Sequence, residues 1–255
     1  GRSKDFLTRK MSRCMSRRCA ARSGGGVSVK ALEALVAAFM DDQRPRFGPH
    51  SAVKVEEAAV IGASTLTMAL HGGSRSSRPL TEAELRKRNL NRALIAAESG
   101  KYFGVASGLA PERLRSVKAG FAAAAGLPVG AGSSASALGY SLSLHDVQRL
   151  NAARGALIPR AVDGVLSAHC DGRKRMGLGE FARLSTALSE PGSLASAEYL
   201  FAALDSDMDG YWSPADVRHV HMEKERLLLR DTLVISDVKD VWSCLVDMIR
   251  PADEH

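Results

Sequence analysis

The chain has 255 residues, a formal net charge of +7, 45% hydrophobic residues and only 5% aromatic residues. This length allows one or two domains, and the apolar content is sufficient for a buried core. No run of apolar residues is long enough for a transmembrane helix. The cysteines show neither CxxC spacing nor a disulfide-like pattern, which favours a reducing, intracellular compartment; they are Cys14, Cys19, Cys170 and Cys244.

The positive charge is concentrated at one end. Residues 1–30 contain nine of the 35 basic residues and one of the 28 acidic residues, so the rest of the chain is close to neutral. We interpret residues 1–26 as a basic, flexible head, with anion binding or compartment addressing as the alternative. The head lacks the apolar core of a secretory signal. We expect no specific nucleic-acid partner.

Apolar residues recur at a spacing close to 3.6 along most of the chain, which predicts an all-α protein. The predicted helices cover 30–41, 54–70, 82–98, 111–125, 144–152, 159–168, 178–188, 195–204, 214–230 and 238–249. Residues 119–141 are rich in Ala, Gly and Ser and are predicted as a loop. This loop separates a helical unit at 27–118 from a C-terminal unit at 142–255.

The most specific motif is the segment 205–216, DSDMDGYWSPAD. Alternating aspartates followed by Gly210 are typical of the calcium loop of an EF-hand, with an acidic surface turn as the alternative. Loop positions 1, 3, 5, 7, 9 and 12 are occupied by Asp205, Asp207, Asp209, Tyr211, Ser213 and Asp216. Tyr211 would use its carbonyl oxygen, and Ser213 would hold a water.

Position 12 of an EF-hand loop is usually a bidentate glutamate, but here it is Asp216. Because aspartate is one methylene shorter, it can reach the ion with a single oxygen. This weakens calcium binding and favours the smaller magnesium. We therefore expect Ca²⁺ in the loop, with Mg²⁺ as the alternative ion.

The end of this loop has weaker copies upstream. Each copy has an apolar residue at position 8 and a small residue (serine, threonine or glycine) at position 9, and most have an acid at position 12. The position-8 residues are Val27, Leu80, Leu142, Met176 and Trp212; the Val27 copy lacks the acid. The repeats predict tandem EF-hand-like helix–loop–helix units, mostly degenerate, with short β bridges between paired loops.

The upstream copies lack metal ligands at the start of the loop. In the copy that ends at Glu180, positions 1, 3 and 5 are His169, Asp171 and Arg173, and an arginine there would repel a cation. We expect these loops to be metal-free and structural. We further expect the C-terminal unit to be an EF-hand pair, with Trp212 close to Met176 across the bridge.

Other candidate sites are weak. His219 and His221 are two residues apart on a helix, so they do not share a face and are predicted as surface residues. A zinc site at Cys14 and Cys19 has no supporting pattern. The apolar stripe Trp242, Leu245, Val246 and Ile249 is predicted to pack in the core, with a partner groove as the alternative. No catalytic constellation is present, so we do not expect an enzyme.

Several segments resemble one known family when they are taken in order. They are LTEAELRK (80–87), RMGLGEFA (175–182), AEYLF (197–201), the loop 205–216 and VWSCLVDMIRP (241–251). Together they resemble the B-double-prime, EF-hand-containing regulatory subunits of protein phosphatase 2A. The resemblance covers about 27–251 and is strongest from about 158 onward.

The resemblance implies a string of EF-hand-like helical units without catalytic activity. It also implies binding to the phosphatase scaffold and catalytic subunits, control over which phosphoproteins are substrates, and calcium at Asp205, Asp207, Asp209, Tyr211 and Asp216. The implied location is cytoplasmic, with nuclear and centrosomal or cytoskeletal sites as alternatives. The family's other calcium loop would fall before Leu142, where this chain has no carboxylates.

Two alternative functions remain open. One is a stand-alone EF-hand calcium sensor or buffer, and the other is a cytoskeletal or centrosomal EF-hand adaptor without a phosphatase. Compared with the family, the chain also starts late and ends early, so we expect either a fragment or a divergent member.

Overall fold

A computed structural model of the chain describes residues 26–27, 29–42, 53–71, 80–81, 90–98, 100–102, 104–128, 136–154, 157–170, 174–207, 209–228 and 237–249. The predicted basic head, residues 1–26, lies outside the described residues except for Gly26. None of the described helices combines the length and the apolar character needed to cross a bilayer.

The described part is almost entirely helical, as predicted. In chain order the α-helices are α1 (Val29–Asp42), α2 (Val55–His71), α3 (Leu90–Glu98), α4 (Pro111–Ala124), α5 (Leu144–Arg154), α6 (Pro159–His169), α7 (Leu178–Ser189), α8 (Leu194–Leu204), α9 (Pro214–Leu228) and α10 (Val238–Ile249). Short 3₁₀ helices lie at Gly104–Leu109 and Ala137–Gly139, and the two strands are β1 (Gly26–Val27) and β2 (Leu80–Thr81).

The helix boundaries agree closely with the predicted ones. Residues 82–89 and 229–230 of the predicted helices lie outside the described residues. The predicted loop at 119–141 begins too early, because α4 continues to Ala124 and Phe121 is fully buried in the core. Phe121 packs edge-on against Phe181 of α7, with their ring centroids 5.6 Å apart. Aromatic burial thus extends the helix into a segment whose composition is typical of a loop.

Two short β pairings join the EF-hand-like loops. In the first, β1 and β2 are antiparallel and Val27 faces Leu80. In the second, Leu142 and Met176 exchange both backbone hydrogen bonds, at 2.8 and 3.0 Å. Both pairings join one position-8 residue to another, which confirms the repeat inferred from sequence and its β bridges.

The expected partner of Met176 was wrong. Met176 pairs with Leu142, so the two degenerate loops brace each other and leave Trp212 out of the bridge. Among the described residues, the backbone of Trp212 forms no backbone–backbone hydrogen bond with another loop. The repeats pair in chain order, first with second and third with fourth. The aspartate-rich loop is the fifth, so it cannot also pair with the fourth.

Helix α2 lies at the centre of the fold. It packs against α1, α7, α4 and the 3₁₀ helix at Gly104–Leu109. Glu57 near its start is fully buried and forms an ion pair with Lys118 of α4 at 2.6 Å. Glu57 also accepts hydrogen bonds from the backbone N–H groups of Lys54 and Ala137, at 2.9 and 2.8 Å. A buried charge needs such compensation, and here it connects α2, α4 and the second 3₁₀ helix.

Candidate metal centre in the fifth loop

Helix α8 leads into the aspartate-rich loop. The hydroxyl of Ser193 caps its first turn by accepting from the N–H of Ser196 at 3.2 Å. The helix ends at Asp205, whose own N–H still bonds to the carbonyl of Phe201 at 2.9 Å. Loop position 1 is therefore held by the last turn of a regular helix.

Helix α8 is fixed against α6, the entry helix of the preceding degenerate loop. A Cβ atom built on Gly164 of α6 would lie only 1.7 Å from the carbonyl oxygen of Ala203, so the two backbones touch. One turn earlier in α8, the ring of Tyr199 stacks on that of His169, with centroids 3.7 Å apart and planes 7° apart. His169 Nε2 also donates to the carbonyl oxygen of Tyr199 at 2.8 Å.

The structure brings loop positions 1, 3 and 5 together. One carboxylate oxygen from each of Asp205, Asp207 and Asp209 lies within 4.8 Å of the others. No other acidic, histidine or cysteine side chains in the described residues form such a group. Ca²⁺ binds oxygen at 2.3–2.6 Å, so oxygens around one ion lie within about 5 Å of each other. The spacing of the cluster fits a single hard cation.

The loop turns at Gly210, as expected for position 6. Its φ of +86° lies in the left-handed region that side chains disfavour. This turn directs the N–H of Gly210 onto Asp205 Oδ2 at 2.9 Å. Further turns arise where the N–H of Asp209 donates to Asp207 and that of Tyr211 donates to Asp209, at 3.3 and 2.7 Å. The backbone therefore wraps around the carboxylates.

One carboxylate oxygen in the cluster has no protein partner. Asp205 is only 7% exposed, and its Oδ1 is buried without a hydrogen bond. An orphaned carboxylate oxygen next to two further carboxylates is costly unless a cation neutralises it. For Asp207, the hydrogen bond from the N–H of Asp209 lowers the pKa, but slight desolvation and the neighbouring carboxylates of Asp209, Asp205 and Asp216 outweigh it and raise the pKa. The residues therefore fit a divalent ion, and Asp205, Asp207 and Asp209 would hold it.

Asp216 at position 12 is buried but is not one of the clustered carboxylates. Its Oδ1 accepts from the N–H of Ser206, and its Oδ2 accepts from the N–H and hydroxyl of Ser213, at 3.0, 3.0 and 2.7 Å. Burial opposes ionisation, but these hydrogen bonds outweigh it and lower the pKa of Asp216 to about 2. Asp216 therefore caps the first turn of α9 from position N3, in the manner of a capping box.

The residues between the cluster and Asp216 have different environments. Tyr211 is exposed over 75% of its surface, while Trp212 is half-buried and stacks on Phe201 of α8 at 5.6 Å. The expectation that Trp212 joins a partner loop is replaced by this contact with its own entry helix. Ser213 is tied to Asp216 by hydrogen bonds in both directions.

The degenerate loops retain the position-12 acid that caps the exit helix, but they lack the metal ligands at the start of the loop. Asp146 accepts from the N–H of Ser143 at 2.9 Å, and Glu180 accepts from the N–H of Gly177 at 3.0 Å. Both acids occupy position 12 of their loops. The acid persists without metal ligands because it closes the first turn of the exit helix. His169, at position 1 of its loop, is buried against Tyr199; Asp171 and Arg173 lie outside the described residues.

The remaining candidates lie apart from this centre. His219 is exposed as predicted, but His221 is buried, which corrects its surface prediction. Cys170 is buried and Cys244 exposed, and within the described residues neither forms a disulfide. On α10, Trp242 and Leu245 are half-buried and Val246 is exposed, while the side chain of Ile249 lies outside the described set. The stacking of His169 on Tyr199 had no recognisable sequence signal.

Comparison with known proteins gives one informative result. No protein-family model and no curated protein sequence matches the chain. Its structure is similar to a chain of a solved PP2A PR70 holoenzyme, with a TM-score of 0.71 and 16% sequence identity. The similarity covers 98% of this chain and 88% of that chain. The two chains share a fold. The resemblance to B-double-prime subunits seen in the sequence is thus confirmed at the level of the fold.

Proposed function

We propose that this chain is a B-double-prime-type regulatory subunit of protein phosphatase 2A. The observation that carries the proposal is the similarity to the PP2A PR70 holoenzyme chain, which extends over 98% of this chain. A likeness of that extent includes the helices between the loops, beyond a single EF-hand. The chain would bind the scaffold and catalytic subunits and direct them to phosphoprotein substrates. It would contribute no catalytic residue itself.

The proposal includes one calcium site in the loop 205–216, with magnesium as the competing ion. Three clustered carboxylates and the buried, unpartnered Oδ1 of Asp205 support it. Calcium would neutralise that oxygen and stiffen the turn between α8 and α9. The solved PR70 holoenzyme is described as a diCa form, which supports calcium binding in a related fold.

Binding to a purified PP2A scaffold subunit tests the phosphatase role. The full chain, carrying an affinity tag, is mixed with the scaffold subunit in calcium and then in chelator. Retention of the scaffold and, when it is added, of the catalytic subunit is the expected result. Asp205→Ala is the matched variant, because it removes the ion site and leaves the distant helices intact. Failure to retain the scaffold in either condition would contradict the phosphatase role.

A stand-alone sensor is the second candidate function. Sensor EF-hands open to expose a methionine-rich groove when calcium binds. Here Met40, Met68 and Met176 are each at most 2% exposed and belong to the core, and Met222 is an isolated exposed residue. The methionines therefore do not form such a groove in the described part of the chain, which favours the phosphatase subunit. Calcium binding without scaffold retention would favour the sensor or the adaptor.

The proposed location is intracellular and cytoplasmic, with nuclear and centrosomal or cytoskeletal sites as alternatives. The resemblance to phosphatase regulators and the cysteine pattern support it. Imaging the tagged full chain in cells tests this, and a secreted protein would contradict it.

A further inference from the structure

A contact outside the loop connects its exit helix to the preceding repeat. Glu223 lies on α9, about two turns beyond Asp216. Its Oε2 accepts from the backbone N–H of Arg160 at 2.9 Å. Arg160 is in the first turn of α6, and the residue before that helix, Ile158, offers no side-chain acceptor. Glu223 thus supplies, from another helix, the negatively charged cap that α6 lacks.

This contact restrains the exit helix relative to the entry helix. Helix α6 is already fixed to α8 by the close approach of Gly164 to Ala203 and by the stack of His169 on Tyr199. Among the described elements, α9 packs mainly on α10 and α6. The bond from Glu223 to Arg160 therefore ties α9, through α6, to the helix that carries Asp205.

Ion binding would change the position of α9. Three carboxylates already fit one ion, whereas Asp216 lies outside the cluster and caps its own helix. For Asp216 to become a ligand, the first turn of α9 must approach the cluster. Helix α9 must move farther than it would with a glutamate at position 12, because the aspartate side chain is one methylene shorter. A bond that holds α9 in place opposes this approach.

We propose that Glu223 is a positioning residue for the ion site, whose bond to Arg160 holds the exit helix back and lowers the affinity of the loop for calcium. The inference rests on the proposed calcium function. Glu223 lies too far along α9 to be a ligand, so its effect is transmitted through the helix. Removing it releases α9 and tightens binding.

Calorimetric titration of calcium into the full chain tests this. The variants are Glu223→Ala, Glu223→Gln and the control Glu225→Ala. Glu225 lies on the same helix and has no hydrogen bond or ion pair within the described part of the chain. Loss of a negative charge near the loop weakens calcium binding in all three variants. Release of α9 strengthens calcium binding, and it occurs only in the variants of Glu223.

We expect Glu223→Ala to bind calcium about two- to thirtyfold more tightly than Glu225→Ala, the range that corresponds to loss of one helix cap. Glu223→Gln should lie between them, since its amide oxygen still accepts the hydrogen bond. A cap with a purely structural role would lower the melting temperature and leave the calcium affinity equal to that of Glu225→Ala.

Two results would overturn the inference in distinguishable ways. If the unmodified chain binds calcium and Glu223→Ala matches or falls below Glu225→Ala, the positioning role is wrong and the calcium function stands. If the unmodified chain shows no calcium heat, the proposed calcium function fails, and this inference fails with it. Should Glu223→Ala not fold, the isosteric Glu223→Gln takes its place: it should still bind calcium more tightly than Glu225→Ala, by a smaller factor, and equal affinities would overturn the positioning role.

Discussion

Gly164 and Ala203 touch backbone to backbone, at the crossing of the entry helices of the fourth and fifth repeats. A Cβ atom at position 164 would lie 1.7 Å from the carbonyl oxygen of Ala203. A backbone carbonyl cannot rotate away as a side chain can, so any larger residue must separate the helices. Since Ala203 lies two residues before Asp205, this crossing sets the position of the ion site.

We therefore expect Gly164→Ala to lower the free energy of unfolding by about 1–3 kcal/mol, the usual cost of overpacking. Separating α6 from α8 should also weaken the stack of His169 on Tyr199. Urea unfolding followed by circular dichroism measures the loss.

Gly192→Ala is the matched control for this substitution. A Cβ atom at position 192 would have no heavy atom within 4 Å. Its stability should stay within about 0.5 kcal/mol of the unmodified chain. Equal stability of the Gly164 and Gly192 variants would show that the helices separate at no cost.

Lys118 neutralises Glu57 in the core. We expect replacement of Lys118 to lower the free energy of unfolding strongly. Lys118→Met leaves a carboxylate that is 0% exposed without its counter-charge. Breaking a buried pair in this way costs about 3–5 kcal/mol. The double variant with Glu57→Gln should recover part of that loss, because it removes the unpaired charge. Urea unfolding of both single variants and the double variant measures the coupling.

An exposed ion pair provides the comparison. Arg115 bonds to Glu112 at 3.1 Å, with side chains 54% and 79% exposed. Arg115→Met should change stability by less than about 1 kcal/mol. If Lys118→Met destabilises the chain as little as Arg115→Met does, water reaches Glu57 and the ion pair does not stabilise the core.

Most helices and the repeat could be predicted from sequence, because both are local. Apolar spacing depends on neighbours within one turn, and the residues at positions 9 and 12 close the first turn of the exit helices α5, α7 and α9. Ser213 with Asp216 shows this directly, since the same pair both caps α9 and completes the loop pattern. On its own, the pattern at positions 9 and 12 identifies the start of a helix. It indicates a metal-binding loop only when aspartates precede it.

The pairing of the loops could not be predicted in the same way. Leu142 and Trp212 are both apolar position-8 residues, and nothing local states which one faces Met176. That choice depends on how helices far apart in sequence pack around α2. The separation of Asp216 from the aspartate cluster was also missed, because hydrogen bonds to Ser206 and Ser213 compete with the ion for its oxygens.

Asp146 gives a pH-dependent test of the capping role. Hydrogen bonds from the Ser143 hydroxyl and N–H, together with the charge of Arg149, lower the pKa of Asp146 in spite of burial. A lowered folded-state pKa adds stability above the unfolded value of about 3.9, and this stability is lost as the pH falls toward the folded value. Asp146→Ala should therefore cost about 1 kcal/mol at pH 7 and progressively less below about pH 4. Urea unfolding between pH 7 and pH 3 measures this difference.

Asp163 on α6 is the control for that titration. It is exposed and has no hydrogen bond or ion pair within the described part of the chain. Asp163→Ala should change stability by less than about 0.5 kcal/mol at neutral pH. A pH-independent loss in Asp146→Ala would mean that the side chain acts through packing instead of charge.

Restoring a glutamate at position 12 tests the ion site itself. Asp216→Glu lengthens the side chain by one methylene, so its carboxylate can reach the cluster with both oxygens. Glutamate at N3 also maintains the capping box with Ser213. We expect the affinity for calcium to rise on the order of tenfold. The affinity for magnesium should rise less, because magnesium demands a tighter octahedral shell. Calorimetric titration with calcium, with and without millimolar magnesium, measures both effects.

Asp205→Ala in the same assay distinguishes a gain at position 12 from a general change in the loop. This variant removes the buried carboxylate whose Oδ1 has no hydrogen-bond partner. Calcium binding should be lost both in Asp205→Ala and in the double variant with Asp216→Glu. An Asp216→Glu variant with unchanged affinity would mean that position 12 does not reach the ion. The carboxylates of Asp205, Asp207 and Asp209 would then bind calcium without the exit helix, and binding would not be transmitted to α9.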